Sequence, residues 1–172
     1  MDGFTMAEFA RTLWFTQATN LQAQPHSPLF GCPCTTQEIE VYKPEWYNTT
    51  LVAGCGNEKI GYHNLTMQSQ LWGNFNVSGE EGLHYENNYG DPDLYPTMVF
   101  NVSRGDDGRM LTAMAYACFV DRGKAQFAFQ LFSADARFSH EDTLRYVGYA
   151  NDLGVFDLDG MYYGVYHECG YF

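Results

Sequence analysis

The 172-residue sequence predicts an all-β protein: an eight-stranded, up-and-down antiparallel barrel with one C-terminal α-helix packed on its outside. Three observations carry that prediction. Short segments rich in β-branched and aromatic residues follow one another, separated by turn signals. A single well-capped helix comes late, which favours a barrel over a jelly roll or sandwich. No repeat, linker or low-complexity tract divides the chain, so residues 1–172 read as one domain, long enough to bury its core without staples. A closed barrel removes sheet edges and can hold one small ligand.

In chain order, residues 5–10 (TMAEFA) form one helical turn and 11–19 (RTLWFTQAT) the first strand. Residues 21–35 are a loop, marked by Pro25, Pro28, Gly31 and Pro33. Strands follow at 36–43, 47–53, 59–72, 82–88, 95–103, 109–120 and 125–133. Arg104-Gly105-Asp106-Asp107-Gly108 and Asp121-Arg122-Gly123-Lys124 supply the positive-φ residues of two hairpins. In 125–133, Phe127, Phe129 and Leu131 share one face; Ala128, Gln130 and Phe132 share the other. In 109–120 both faces are apolar: Met110, Met114, Tyr116 and Cys118 against Leu111, Ala113, Ala115, Ala117 and Phe119. A strand apolar on both sides is covered on both, so a helix is expected over its outer face. That helix starts at Ser139, with Asp142 completing an acidic variant of the capping box. Leu144, Val147, Ala150 and Leu153 recur at helical spacing, and Gly154 sits at the C′ position. Residues 161–167 (MYYGVYH) read as one more strand before Cys169.

Nine Lys+Arg against 21 Asp+Glu give a net charge of −12. Such a polyanion is repelled by nucleic acid and by anionic lipid surfaces, which excludes both as partners. No apolar run approaches the roughly 18–20 residues of a membrane helix, so no membrane insertion is expected. Aromatic residues make up 17% of the chain, equal to its charged fraction, which calls for a flat ligand to surround or a very aromatic core.

The five cysteines, Cys32, Cys34, Cys55, Cys118 and Cys169, match no zinc spacing, and Cys32-Pro33-Cys34 is too tight to bridge onto itself. They are disulfide candidates with distant partners, and their odd number leaves one sulfur over. N-glycosylation sequons stand at Asn48, Asn64, Asn76 and Asn101. Cysteines and sequons together point to a secreted, extracellular protein. The Met1-Asp2-Gly3-Phe4 start is not a signal peptide, so the chain reads as a mature form.

In element order and in a few motifs the chain resembles a lipocalin, a member of the calycin superfamily. Trp14 takes the place of the tryptophan in the family's G-x-W motif, whose glycine is missing from Thr12-Leu13-Trp14. Arg137, in Ser133-Ala134-Asp135-Ala136-Arg137-Phe138, matches the arginine that follows the eighth strand and packs over that tryptophan. Arg104-Gly105-Asp106-Asp107 is a loose counterpart of the T-D-Y segment. The resemblance implies a staple from Cys169 to Cys32 or Cys34. It assigns Trp14 and Arg137 to structure.

The resemblance also implies a carrier or sequestering protein for one small hydrophobic ligand: a pigment, retinoid, fatty acid or similar molecule. The aromatic and Met content favours an aromatic or conjugated ligand lined by Trp46, Trp72, Tyr85, Phe100, Met114, Tyr116, Phe127 and Phe129. His63 and His84, on neighbouring strands, add hydrogen-bonding groups. Any one of these residues could instead fill core between wall and helix. His26, His140 and His167 complete the histidines, and no pair has metal-ligand spacing, so no metal and no catalytic cofactor is expected beyond a bound chromophore or lipid. Glu38, Glu40, Glu80, Glu81, Glu86 and Asp91 read as a solvated acidic surface, with a cationic amine at the barrel mouth as the minority reading. No enzyme motif stands out, and no catalytic residue is assigned. The alternative is a lipocalin-fold enzyme of the isomerase, de-epoxidase or luciferase kind. Its nucleophile would be Cys118, if that residue is free and inward-facing and not bonded to Cys55. A third alternative is an interaction protein with an empty barrel, and an oligomer is compatible with all three.

Overall fold

The computed structural model describes residues 4–20, 34–43, 46–54, 64–73, 83–88, 95–121, 123–155 and 161–163. Within them a short helix α1 (Met6–Phe9) precedes strands β1 (Trp14–Thr19), β2 (Cys34–Lys43), β3 (Trp46–Gly54), β4 (Asn64–Gly73) and β5 (Leu83–Asn88). Then come β6 (Tyr95–Arg104), β7 (Met110–Asp121), β8 (Lys124–Ser133), helix α2 (His140–Asp152) and β9 (Tyr162–Tyr163).

β2 to β8 pair in sequence order, β8 pairs with β1, and β1 pairs back onto β2. Eight antiparallel strands therefore close into a barrel, the architecture the turn spacing predicts. The lower half of β1 meets β2 (Trp14 opposite Gln37), while its upper half, Ala18 and Thr19, meets Tyr163 and Tyr162 of β9. The glycine hairpins form as expected: Gly108 has φ 80° and Gly123 φ 76°, a region that disfavours any side chain. Because α1 and the β6–β7 turn lie at one end, the first residues of β2 and β6, Cys34 and Tyr95, lie at the opposite end, the barrel mouth.

α2 has the caps read from its sequence. The Ser139 hydroxyl accepts a hydrogen bond from the Asp142 backbone N–H at 3.0 Å and donates to its carboxylate at 2.6 Å. At the other end Gly154 (φ 80°) donates to Asn151 O, and Val155 donates to Ala150 O, the 5→2 and 6→1 pair of a Schellman motif.

Two apolar layers lie on either side of β7 and β8. The inner one joins Trp14, Ile39, Val99, Ala113, Ala115 and Phe132 to Phe4, Met6, Phe9 and Ala10 from the α1 segment. The outer one joins Ala18, Met114, Phe129 and Leu131 to Ala150 of α2, with Phe100, Tyr116, Phe138, Tyr146, Val147 and Val155 packed against it. The helix over the outer face of β7 is where the sequence places it. One position on β7 differs from simple alternation. The register with β6 slips between Thr112 and Met110, so Leu111 bulges outward, 43% exposed, and Met110 turns into the inner layer with the alanines.

Candidate functional site

The barrel floor is a plug built by local sequence. Thr5 caps α1 by accepting from Glu8 N, and the single turn delivers Phe9 against Trp14, ring centroids 5.0 Å apart. The Trp14 indole N–H donates to Phe9 O at 2.9 Å, and Phe132 closes the group at 6.1 Å from both rings. Arg104 at the end of β6 clamps α1 in place, with Nη2 2.9 Å from Glu8 Oε2 and Nη1 on Oε1. The Arg104 hydrogen bond, more than its charge, draws the Glu8 carboxyl below the usual carboxylate range against a desolvation effect of opposite sign.

Arg137 does not take part. Its side chain is 87% exposed and pairs with Asp135 at 3.5 Å, so it cannot cover a tryptophan that is fully buried. The expected cation–π lid over Trp14 is replaced by Phe9 and the α1 turn. The sequence signal for this was the TMAEFA segment itself, read as a helical turn but given no task.

Above the floor the described inner wall is made of small side chains. Ala115 and Ala117 on β7 face Gln130 and Ala128 on β8, and Thr97 on β6 pairs with Ala117. Ala115, Ala117, Ala128 and Thr97 are all buried. Met114, Tyr116, Phe127, Phe129 and Leu131 on the same two strands point the other way. Of the residues expected to line a cavity, Phe100, Met114, Tyr116 and Phe129 sit instead in the layer under α2, with Phe100 6.4 Å from Phe129. Phe127 stacks on Tyr116 on that same outer side, at 5.9 Å and 21°. Alternation had separated these residues correctly from the alanines; it could not say which set is inside.

Trp46, Trp72 and Tyr85 occupy one cross-strand row that ends at Pro96, an exposed position, whereas His84 lies in the row of buried Thr97. Asn48 and Asn64 are strand positions on β3 and β4. Asn101, half-buried, pairs with Met114 on the outer side of β6. His63, Asn76, Cys32, Cys55, Cys169, His26, His167, Glu80, Glu81 and Asp91 lie outside the described residues, and Cys34 and Glu86 are described only as strand positions on β2 and β5. Glu38 and Glu40 are exposed on β2, His140 is the exposed first residue of α2. Cys118 is a free, exposed cysteine on the outer side of β7, so neither a bond to Cys55 nor a nucleophile inside the barrel is found there. Among the described residues no group of His, Cys, Asp or Glu has the arrangement of a metal site.

Three residues that the sequence reading passed over contribute to this wall. Asn20 extends the β1–β8 ladder past the end of β1, its carboxamide accepting from Phe129 N at 2.8 Å and donating to Phe127 O at 3.0 Å. Gln37 and Thr97 are polar side chains at inward positions of β2 and β6. A polar residue breaking an inward apolar alternation (Gln37 before Ile39, Thr97 before Val99) was the available signal.

No family model and no curated sequence matches the chain. Solved structures do. Lobster apocrustacyanin A1 superposes with a TM-score of 0.64 at 14% identity, over 94% of this chain and 79% of its own. The siderocalin Ex-FABP aligns at a TM-score of 0.58 and 10% identity, over 90% and 89% of the two chains. The possum milk whey lipocalin trichosurin, solved with bound 4-ethylphenol, aligns at 0.57 and 12% identity, over 88% and 93%. The fold is the lipocalin fold.

Proposed function

We propose that this protein carries or sequesters one small, mainly apolar molecule inside its barrel, in an extracellular setting. The observation that carries the reading is the contrast in side-chain size on β7 and β8. Alanines face inward above a sealed aromatic floor, while the bulky side chains face the helix. A wall of that kind leaves room where a filled barrel would leave none. The fold shared with trichosurin, whose structure holds 4-ethylphenol, is consistent with such a use. Phe9, Trp14 and Phe132 offer ring faces at the floor, which suits a flat or conjugated ligand. The four sequons and five cysteines support export.

The test uses neighbouring residues on β7. Ala117→Trp should fill the space and reduce binding of the neutral fluorophore N-phenyl-1-naphthylamine at least tenfold, with unchanged far-UV circular dichroism. Cys118→Trp, on the exposed side, should bind it as the parent does. Equal binding by both variants and the parent would sink the proposal. Protein purified from its source organism should show an absorption band to longer wavelength than its tryptophans if the ligand is conjugated; a colourless preparation removes that refinement alone.

A further inference from the structure

Gln37 and Thr97 are 6% and 2% exposed, and the Gln37 Oε1 and Thr97 Oγ1 atoms find no hydrogen-bond partner among the described residues. Leaving such an atom dry and unpaired is destabilising, so two of them in one barrel call for a reason. Their positions supply it. In the strand order β2 and β6 are four steps apart whichever way the ring is followed, which puts them on opposite walls. Both residues sit one inward position toward the mouth from a residue of the floor cluster: Gln37 above Ile39, and Thr97 above Val99. The two polar groups thus face each other across the barrel at one level, directly above an apolar floor.

We propose that Gln37 and Thr97 form a two-sided polar clamp for the buried head of the ligand. Eight strands at about 4.8 Å spacing and roughly 40° tilt make a barrel about 16 Å across. Extended Gln and Thr side chains then leave roughly 8 Å between their polar atoms, and a hydrogen bond of about 2.8 Å at each side leaves a ligand span of roughly 2–3 Å. That is the separation of two oxygens attached to adjacent atoms of a six-membered ring. The ligand class is therefore an apolar molecule whose inner end is a ring bearing two hydrogen-bonding substituents, one for the carboxamide and one for the hydroxyl. The Thr97 hydroxyl can donate or accept, and the carboxamide can present either of its ends, so hydroxyl and keto substituents both fit. Neither substituent needs to be charged, because the carboxamide and the hydroxyl that would hold them are themselves neutral.

This inference rests on the carrier reading, and its test separates the two. Titration calorimetry with ethylbenzene, 4-ethylphenol and 4-ethylbenzene-1,2-diol should show affinity rising about three- to tenfold with each hydroxyl. Gln37→Leu and Thr97→Val should each remove one step of that rise, and the double variant should bind all three compounds alike. Both single variants should also unfold at the parent's midpoint or higher, because each deletes an unpaired buried polar atom. A parent that binds the three compounds alike, or none of them, overturns the clamp, as do variants that keep the parent's ranking. The carrier reading survives that result if N-phenyl-1-naphthylamine still binds the parent and is lost from Ala117→Trp, and falls with the clamp if it does not.

Discussion

The two faces of the β7–β8 wall differ in what their apolar residues are for. On the helix side Met114, Phe129 and Leu131 are fully buried against Ala150 and its neighbours, a filled layer held by α2. On the barrel side the described residues of the same strands include Ala113, Ala115, Ala117 and Ala128, and Phe132, Trp14 and Phe9 supply the bulk at the floor. Both faces are hydrophobic; side-chain volume alone tells the packed one from the one that leaves space. Hydrophobicity identifies a buried surface, and volume separates its filled face from its alanine-lined one.

The largest effect that tests this contrast should come from the floor. Trp14→Ala removes two ring contacts and the hydrogen bond to Phe9, and should cost about 4 kcal/mol in chemical denaturation. A cost under 1 kcal/mol would mean that the plug is not part of the cooperative core. Met114→Ala in the outer layer should cost about 3 kcal/mol yet leave ligand affinity within twofold once the variant is folded, since Met114 borders α2 and not the cavity. Loss of affinity without loss of stability would reverse the assignment of the two faces. Ser139→Ala should cost about 1 kcal/mol, through the α2 N-cap, and shift only the helix side.

The smallest effect is the pH response of the α1 clamp. Arg104 holds the folded Glu8 pKa below its ordinary 4.5, so the stabilisation is present above that value and is lost as pH falls beneath it through the lower folded pKa. Comparing unfolding midpoints of the parent and Glu8→Gln from pH 7 to pH 3 should show their difference shrinking toward zero at the acid end. A difference that stays constant would mean the ion pair contributes nothing there.

Much of this molecule could be read from residues alone, and the remainder was hidden for identifiable reasons. The strand order, both glycine hairpins and both caps of α2 follow from local chemistry: positive-φ glycines, a serine hydroxyl and an acidic neighbour act within a few residues. The inside of the barrel does not, because a period-two pattern separates two faces without labelling them. That is why Phe100, Met114, Tyr116, Phe127 and Phe129 were expected at a ligand and stand under a helix. A bulge at Leu111 then inverts the pattern once more for Met110. Arg137 was expected over Trp14 by likeness of position, but an exposed arginine next to Asp135 has a cheaper partner than a buried ring. Gln37 and Thr97 were overlooked because a lone polar residue in a strand usually faces water, and only closure of the sheet shows that these two do not.

β1 leaves the ribosome before the other strands described, yet its longest pairing is with β8: Phe15, Thr16, Ala18 and Thr19 meet Ser133, Phe132, Leu131 and Gln130. Among the described residues its pairing with β2 is confined to Trp14 and Phe15. The earliest strand therefore waits for the last of the eight before most of its backbone is satisfied, and the Arg104 link to Glu8 waits almost as long. Contacts of such sequence separation are slow to form. Until β8 arrives, β1 and β7 are open edges on a growing chain, the state most prone to pairing with a neighbour. A chain cut before Lys124 would never leave that state, so the tolerance of this protein to truncation is set at its eighth strand.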